Sequence, residues 1–135
     1  MKDYPTPAPV RSQILPRLAG AVWVLWLATL WVLSAQSLPA QKLPDFQFSD
    51  KFAHFGYFFL GGSLLAIALR DVVPVWRKRV LLIIAASALI GAGDEYHQSF
   101  VKNRYGNDPW DWLADTIGGT AAALLVNPRL KRRIF

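Results

Sequence analysis

Apolar residues are gathered into four long segments, each of which ends at a short polar cluster or at a turn rich in proline or charge. Segments of this length favour membrane helices over the core helices of a soluble domain. We predict helices over Leu18–Ala35, Phe52–Leu69, Val80–Phe100 and Pro109–Val126.

The third segment determines where charge enters the predicted membrane. From Val80 to Gly93 it is apolar, but these 14 residues are too few to cross a hydrocarbon core of about 30 Å. Continuing the helix through Asp94 and Glu95 to Phe100 gives 21 residues. The acidic pair then lies within the last two turns of the span.

Two helix starts carry capping signals. Ser49 is placed to cap the first turn of the second helix. Asp108 is a candidate N-cap for the fourth helix, with Pro109 at its first position and Asp111 at its third.

Composition supports an all-α membrane protein with four transmembrane helices. Apolar residues make up 53% of the 135 and charged residues only 18%. We divide the chain into an N-terminal tail (1–17), a four-helix domain (18–126) and a basic C-terminal tail (127–135). The first apolar run is longer than a usual signal-peptide core, so we expect it to be retained as a helix.

The distribution of charge predicts both termini in the cytoplasm, since cytoplasmic loops are rich in Lys and Arg. Eleven of the 15 basic residues lie in the two termini and the 70–79 loop. Seven of the nine carboxylates lie on the predicted outer side: Asp45, Asp50, Asp94, Glu95, Asp108, Asp111 and Asp115. We therefore expect a multi-pass protein of the bacterial cytoplasmic membrane.

Small residues four apart predict close helix packing. They occur on the third and fourth helices at Ser87/Gly91, Ala88/Ala92, Ala114/Gly118, Gly118/Ala122 and Gly119/Ala123.

Polar side chains repeat at helical spacing on three helix ends. The pairs Asp50/His54, Asp94/Gln98 and Asp111/Asp115 are each four residues apart, and each pair shares a helix face. Ionisable groups near hydrocarbon are costly unless they are paired or face water. We expect the three stripes to face one another in a polar pocket that opens outside the cytoplasm.

The residue types indicate acid–base chemistry or anion binding. Glu95 or Asp94 would act as general acid or base, and His54 would relay a proton. Lys51 and Arg104 would contact an anionic group. The binding set is Asp50, Lys51, Gln98, Arg104, Asp111 and Asp115.

Metal and cofactor sites are not expected from the sequence. A hard divalent cation on Asp111, Asp115, His54 and Glu95 is conceivable, but zinc-type spacing and phosphate-loop motifs are absent from the sequence. A structural salt-bridge cluster is the main alternative for the whole set.

Three motifs in order resemble the VanZ-like family. They are SDKFAHF at 49–55, DEYHQSFV at 94–101 and DWLADTIGG at 111–119, with Arg104 between the last two. The resemblance implies a small multi-helix bacterial membrane protein whose founding members are linked to reduced susceptibility to teicoplanin. The family's motif residues fall on Asp50, Lys51, His54, Asp94, Glu95, Gln98, Arg104 and Asp111.

Two positions depart from the family pattern. Lys102-Asn103 stands where relatives often have Pro-Gly, and Asp115 stands where Asn is common. The first predicts a differently shaped loop, and the second adds a carboxylate.

The leading functional hypothesis is binding, and hydrolysis or group transfer, of an anionic or glycosylated envelope lipid or lipoglycopeptide. The alternative is a non-catalytic membrane factor that binds a lipid, an antibiotic or a partner protein, and the third is a small transporter or proton conductor. Expected partners are membrane lipids and further copies of the chain, with no nucleic acid.

Overall fold

A computed structural model describes residues 11–37, 49–104 and 106–127, with backbone only at 11 and 12. Within these residues it contains four α-helices and no strand. The helices are α1 (Arg11–Ser34), α2 (Ser49–Ala68), α3 (Trp76–Gln98) and α4 (Pro109–Leu125). The all-helical prediction is confirmed.

The helix bounds differ from the predicted ones mainly at the N-terminal ends. Helix α1 begins at Arg11, seven residues before the apolar run, because polar residues can extend a helix that needs apolar character only along its span. Helix α3 continues through Asp94 and Glu95 to Gln98, as the length argument predicted. At α4, the Asp108 side chain accepts a hydrogen bond from the Trp110 amide (2.8 Å), which confirms the predicted cap.

Consecutive helices run antiparallel, so α2 and α4 run parallel to each other. Among the described residues, these two helices also form the most extensive helix–helix contact. Gly62 lies against Gly119 and Ala122, and Gly118 lies against the backbone of Phe55. These contacts confirm the packing role of Gly118, Gly119 and Ala122, because a Cβ at Gly118 would overlap the α2 backbone. The interface fixes the N-terminal ends of α2 and α4 side by side.

Helix α1 packs against α2 through a reciprocal pair. The Trp26 indole donates to the Tyr57 carbonyl (3.0 Å), and the Tyr57 hydroxyl donates to the Trp26 carbonyl (2.9 Å). Gly61 leaves room for the indole. The C-terminal end of α1 therefore lies beside the N-terminal end of α2.

Arg79 closes the opposite end of the bundle. Its fully buried guanidinium donates from Nε to Asn127 Oδ1 (2.8 Å) and from Nη1 to the Val73 carbonyl (2.5 Å). A residue counted in the sequence as a topology signal is thus also a structural bridge between α3 and the end of α4.

Three of the helices are long and apolar enough to cross a membrane: Gln13–Ser34 within α1, α2 and α3. Helix α4 has 17 residues, or about 26 Å at 1.5 Å per residue, which is short for a core of about 30 Å. Large apolar side chains are exposed along every helix, as on Leu25, Leu60, Leu89 and Leu125. Such exposure suits hydrocarbon rather than water. A fourth span and the side on which the termini lie stay predictions, and the basic tail beyond 127 lies outside the described residues.

Candidate functional site

The nine residues singled out in the sequence all lie at one end of the bundle. This end combines the first turns of α2 and α4, the last turns of α3, the 99–108 loop and the C-terminal end of α1. Each of the nine is either in contact with another of the set or lines a pocket shared with it. The expected meeting of the polar stripes is therefore present, and the chemical roles given to these residues stay predictions.

Lys51 lies among three carboxylates. Its ammonium is 3.0 Å from Asp50, 2.9 Å from Asp108 and 2.5 Å from Asp111. This network connects the first turn of α2 to the cap and first turn of α4. Because its charge is already balanced by protein groups, Lys51 is better placed to hold the two helices together than to contact an outside anion.

Asp108 has two roles at the entry to α4. Its Oδ1 caps the helix, and its Oδ2 accepts from Lys51. The hydrogen bond from Lys51, together with the one from the Trp110 amide, holds the pKa of Asp108 below its ordinary value. Sequence reasoning found the cap but not the ion pair, because the partner is 57 residues away along the chain.

His54 and Asp115 form a buried pair between α2 and α4. Nδ1 of His54 lies 2.9 Å from Asp115 Oδ1, and since a carboxylate oxygen accepts, we place a proton on Nδ1. Nε2 of the same ring lies 3.8 Å from Asp111 Oδ2. The imidazole is thereby oriented between two carboxylates of α4, while one face of the residue lines a pocket.

Glu95 is buried beneath the 99–108 loop. Its Oε2 accepts from the Asp108 amide (2.8 Å), and its main-chain carbonyl accepts from the Asn107 amide (3.2 Å). Its Oε1 has no hydrogen-bond partner among the described residues. Gly106 lets the loop lie this close, because a Cβ there would overlap the backbone of Gln98 and Ser99.

The loop holds Asn103 in an unusual backbone conformation. Asn103 has φ of 64°, in the left-handed region that glycine occupies easily. Asparagine is among the few other residues that tolerate this conformation. Asn103 thus takes a backbone conformation that glycine would also accept.

A pocket with a polar side and an apolar side opens at this end of the bundle. The polar side is formed by Ser34, His54, Asp94, Gln98 and Arg104, and the apolar side by Leu30, Leu33, Ala53, Tyr57 and Phe58. Gln98 donates to Asp94 Oδ2 (2.7 Å), which fixes both side chains. The pocket therefore offers hydrogen-bonding groups beside hydrocarbon.

Arg104 closes one side of this pocket. Its Nη1 donates to the carbonyls of Leu33 (3.0 Å) and Ser34 (3.4 Å) at the end of α1, where the Leu33 carbonyl also accepts from the Gln36 amide (3.3 Å). Its other N–H groups have no acceptor among the residues that the structure describes. Arg104 can therefore cap α1 and still donate to an outside anion.

The contribution of α1 was not predicted. Ser34 is buried and lies 3.1 Å from Nδ1 of His97, whose ring stacks on Trp31 at 4.0 Å. His97, which is not among the site residues predicted from the sequence, connects α1 to α3 beside the pocket. Only the position of Ser34 at the end of an apolar run hinted at such a contact.

One set of side chains has the geometry of metal ligands. Donor atoms of His54, Glu95 and Asp115 lie within 4.8 Å of one another. Two carboxylates and an imidazole are a donor set that divalent transition metals accept.

Comparison with known proteins supplies the family. The VanZ/LLP1 family model matches residues 11–131, which include all four helices and every residue of the site. Neither curated proteins nor solved structures give a significant match. The extent of the family match and the exposed apolar helices lead to one conclusion: the chain is a membrane protein that belongs to the VanZ/LLP1 family.

Proposed function

We propose that the pocket binds an envelope lipid with a sugar-bearing or anionic head group at the outer face of the bacterial cytoplasmic membrane. The observation that carries the proposal is the pairing of hydrogen-bonding groups with an apolar wall at one end of the bundle. An amphiphile with a polar head and an acyl or prenyl chain matches such a surface. The orientation rests on the basic residues of the opposite loop and the two termini.

The polar side of the pocket is suited to a head group that both donates and accepts hydrogen bonds. Asp94 and Gln98 can bond hydroxyl groups, since a carboxylate accepts and an amide does both. Arg104 supplies the cationic contact for a phosphate or carboxylate. Lys51 contributes indirectly in this scheme, because its three carboxylate contacts hold the first turns of α2 and α4 in place.

Processing of the bound lipid is the stronger form of the proposal. His54 lines the pocket, and its Nδ1 donates to the buried Asp115 carboxylate, an arrangement that orients an imidazole for proton transfer. Glu95 lies in the same cluster and has one oxygen without a hydrogen-bond partner in the described part of the chain. Together with Asp94, these are the residues we expect to move protons in hydrolysis or group transfer.

A non-catalytic binding factor is the second candidate. It is favoured by the network around Lys51, in which three carboxylates of the protein hold the ammonium as in a structural cluster. The substitution Glu95→Asp distinguishes a catalytic protein from a non-catalytic binding factor. It shortens the side chain, which proton transfer tolerates poorly and binding tolerates well.

Lipid binding is tested on tag-free protein in detergent by native mass spectrometry with added phosphatidylglycerol and diglucosyl diacylglycerol. The wild type should retain at least one of them, and Arg104→Gln should weaken retention of an anionic lipid by about tenfold, since hydrogen bonds to charged groups contribute about 1.5–3 kcal/mol. Lys102→Gln is the matched control, because Lys102 is exposed on the same loop and does not line the pocket.

A second variant tests the apolar wall without changing charge. Leu33→Trp would fill the pocket from α1 and should reduce retention of both lipids. If the wild type retains neither lipid, or both variants retain them as the wild type does, the proposed binding is wrong.

A further inference from the structure

The densest cluster of acidic side chains lies beside the lipid pocket, around His54. Four carboxyl side chains of α3 and α4 are buried at this end: Asp94 (6% exposed), Glu95 (4%), Asp111 (7%) and Asp115 (0%). Lys51 is the one lysine that contacts any of them among the described residues. Negative charge in a low-dielectric interior is costly unless a cation or a proton balances it.

Two oxygens in the cluster have no partner among the described residues. They are Glu95 Oε1 and Asp115 Oδ2, and both belong to side chains that are more than nine-tenths buried. A buried polar atom without a partner costs free energy comparable to a lost hydrogen bond. The two side chains converge, with His54, on one small volume.

One pair of donor atoms has the spacing of neighbouring metal ligands. His54 Nδ1 and Asp115 Oδ1 are 2.9 Å apart. Neighbouring ligands of an octahedral ion with bonds of about 2.1 Å are about 3.0 Å apart. A cation that displaced the proton between these two atoms could therefore bind both with little movement.

From these observations we propose that His54, Glu95 and Asp115 form a binding site for one divalent transition-metal ion such as Mn²⁺ or Zn²⁺. The mixed nitrogen and oxygen donors select this class over Ca²⁺, which prefers oxygen ligands alone. Asp111, whose Oδ2 lies 3.8 Å from His54 Nε2, is on the side of the ring away from Nδ1 and is placed to orient the imidazole. The ion would balance the buried negative charge and bridge α2, α3 and α4.

The metal site is independent of lipid binding. Of its three ligands, only His54 also lines the lipid pocket. Its test requires no lipid, so failure of lipid binding leaves the metal site standing. A bound ion would replace the proton between His54 Nδ1 and Asp115, and His54 would then not relay a proton through that pair.

The first experiment uses wild-type protein, tag-free and treated with EDTA, then equilibrated with Mn²⁺ and, in a parallel sample, with Zn²⁺. We expect about one tightly bound ion per chain, a raised melting temperature, and electron spin-echo modulation from a directly coordinated imidazole nitrogen. His97→Gln removes the only other imidazole and should leave the nitrogen signal in place. Absence of stoichiometric Mn²⁺ and Zn²⁺ binding would mean that protons balance the cluster, and the proposal would be wrong.

Substitutions at two adjacent positions on α3 then distinguish direct coordination of the ion by Glu95 from a general attraction to negative charge. Glu95→Gln should weaken Mn²⁺ binding by at least about tenfold, whereas Asp94→Asn removes the same charge one residue away and should change it by less than about threefold. Equal weakening by both variants would indicate a diffuse attraction and overturn the assignment of ligands. His54→Ala should abolish the nitrogen signal of the bound ion.

Discussion

At the scale of single residues, Lys51 forms ion pairs with three carboxylates of the site. Its ammonium faces three carboxylates, and of these Asp111 is largely buried. Removing the cation would leave that carboxylate without its partner, and desolvated charge is among the most costly defects a fold can carry.

We expect Lys51→Met to lower the free energy of unfolding by roughly 2–4 kcal/mol, somewhat less than for a fully buried pair because Lys51 is 25% exposed. Adding Asp111→Asn should restore part of the loss. Denaturant unfolding in detergent measures both, with Lys102→Met as the exposed control. Unchanged stability of Lys51→Met would show that the ammonium does not hold α2 to α4.

A dependence of stability on pH follows from Asp108. The hydrogen bond from Lys51 lowers its pKa, so this carboxylate adds stability that is present above its ordinary value of 3.8 and lost as pH falls through the lowered value. Asp108→Asn keeps a helix cap, because asparagine caps as well as aspartate. The difference in melting temperature between wild type and variant should therefore be largest near neutral pH.

The measurement is a series of melting curves from neutral to acidic pH. The difference should shrink below about pH 4 and vanish where both proteins are neutral at this position. A difference that stays constant with pH would contradict the ion pair. Asp108→Ala removes both the cap and the charge. Its free energy of unfolding should be about 1 kcal/mol lower than that of Asp108→Asn at every pH.

At the scale of helices, close packing of α2 on α4 determines where the polar ends meet. Gly118 lies against the Phe55 backbone, so Gly118→Ala should lower the free energy of unfolding by about 1–3 kcal/mol through overpacking. Gly93→Ala is the matched control, because no described atom beyond the local backbone of α3 lies within 4 Å of the added Cβ. It should be neutral or stabilising by up to about 1 kcal/mol.

Unfolding measurements on these two variants test whether the α2–α4 contact requires glycine at position 118. Equal effects of the two substitutions would mean that the α2–α4 contact does not require glycine. The variant Gly118→Ala should also weaken the Lys51 network, since displacing α4 would separate Lys51 from Asp111.

The sequence predicted the helices and the shared position of their polar ends, because length and periodicity depend on local spacing. The continuation of α3 through Asp94 followed from the thickness of a membrane, and the Asp108 cap followed from residue type. The sequence did not predict which charges pair, such as Lys51 with Asp108. It also did not predict that Ser34 lies beside His97. Those contacts depend on how helices far apart in the chain are rotated against one another.

At the scale of the whole molecule, the two ends of the bundle carry different chemistry. One end gathers buried carboxylates, and the other is closed by the buried guanidinium of Arg79 and the exposed basic residues Arg77 and Lys78. The distribution of basic residues leads us to propose that the acidic end faces outside the cytoplasm.

Single cysteines test this orientation on a clean background, because the chain contains no cysteine. Lys102→Cys lies at the acidic end, and Val72→Cys lies at the other end, where Val72 is 76% exposed. A membrane-impermeant maleimide applied to intact spheroplasts should label the first and spare the second until the cells are lysed. The reverse pattern would place the site in the cytoplasm.

The most direct test of the central claim is a structure of the protein in lipid nanodiscs that contain the retained lipid. We expect head-group density in contact with His54, Gln98 and Arg104, and hydrocarbon density along Leu33 and Phe58. If these polar side chains instead point to separate surroundings, or if protein atoms fill the pocket, the account of a shared lipid-binding site is contradicted.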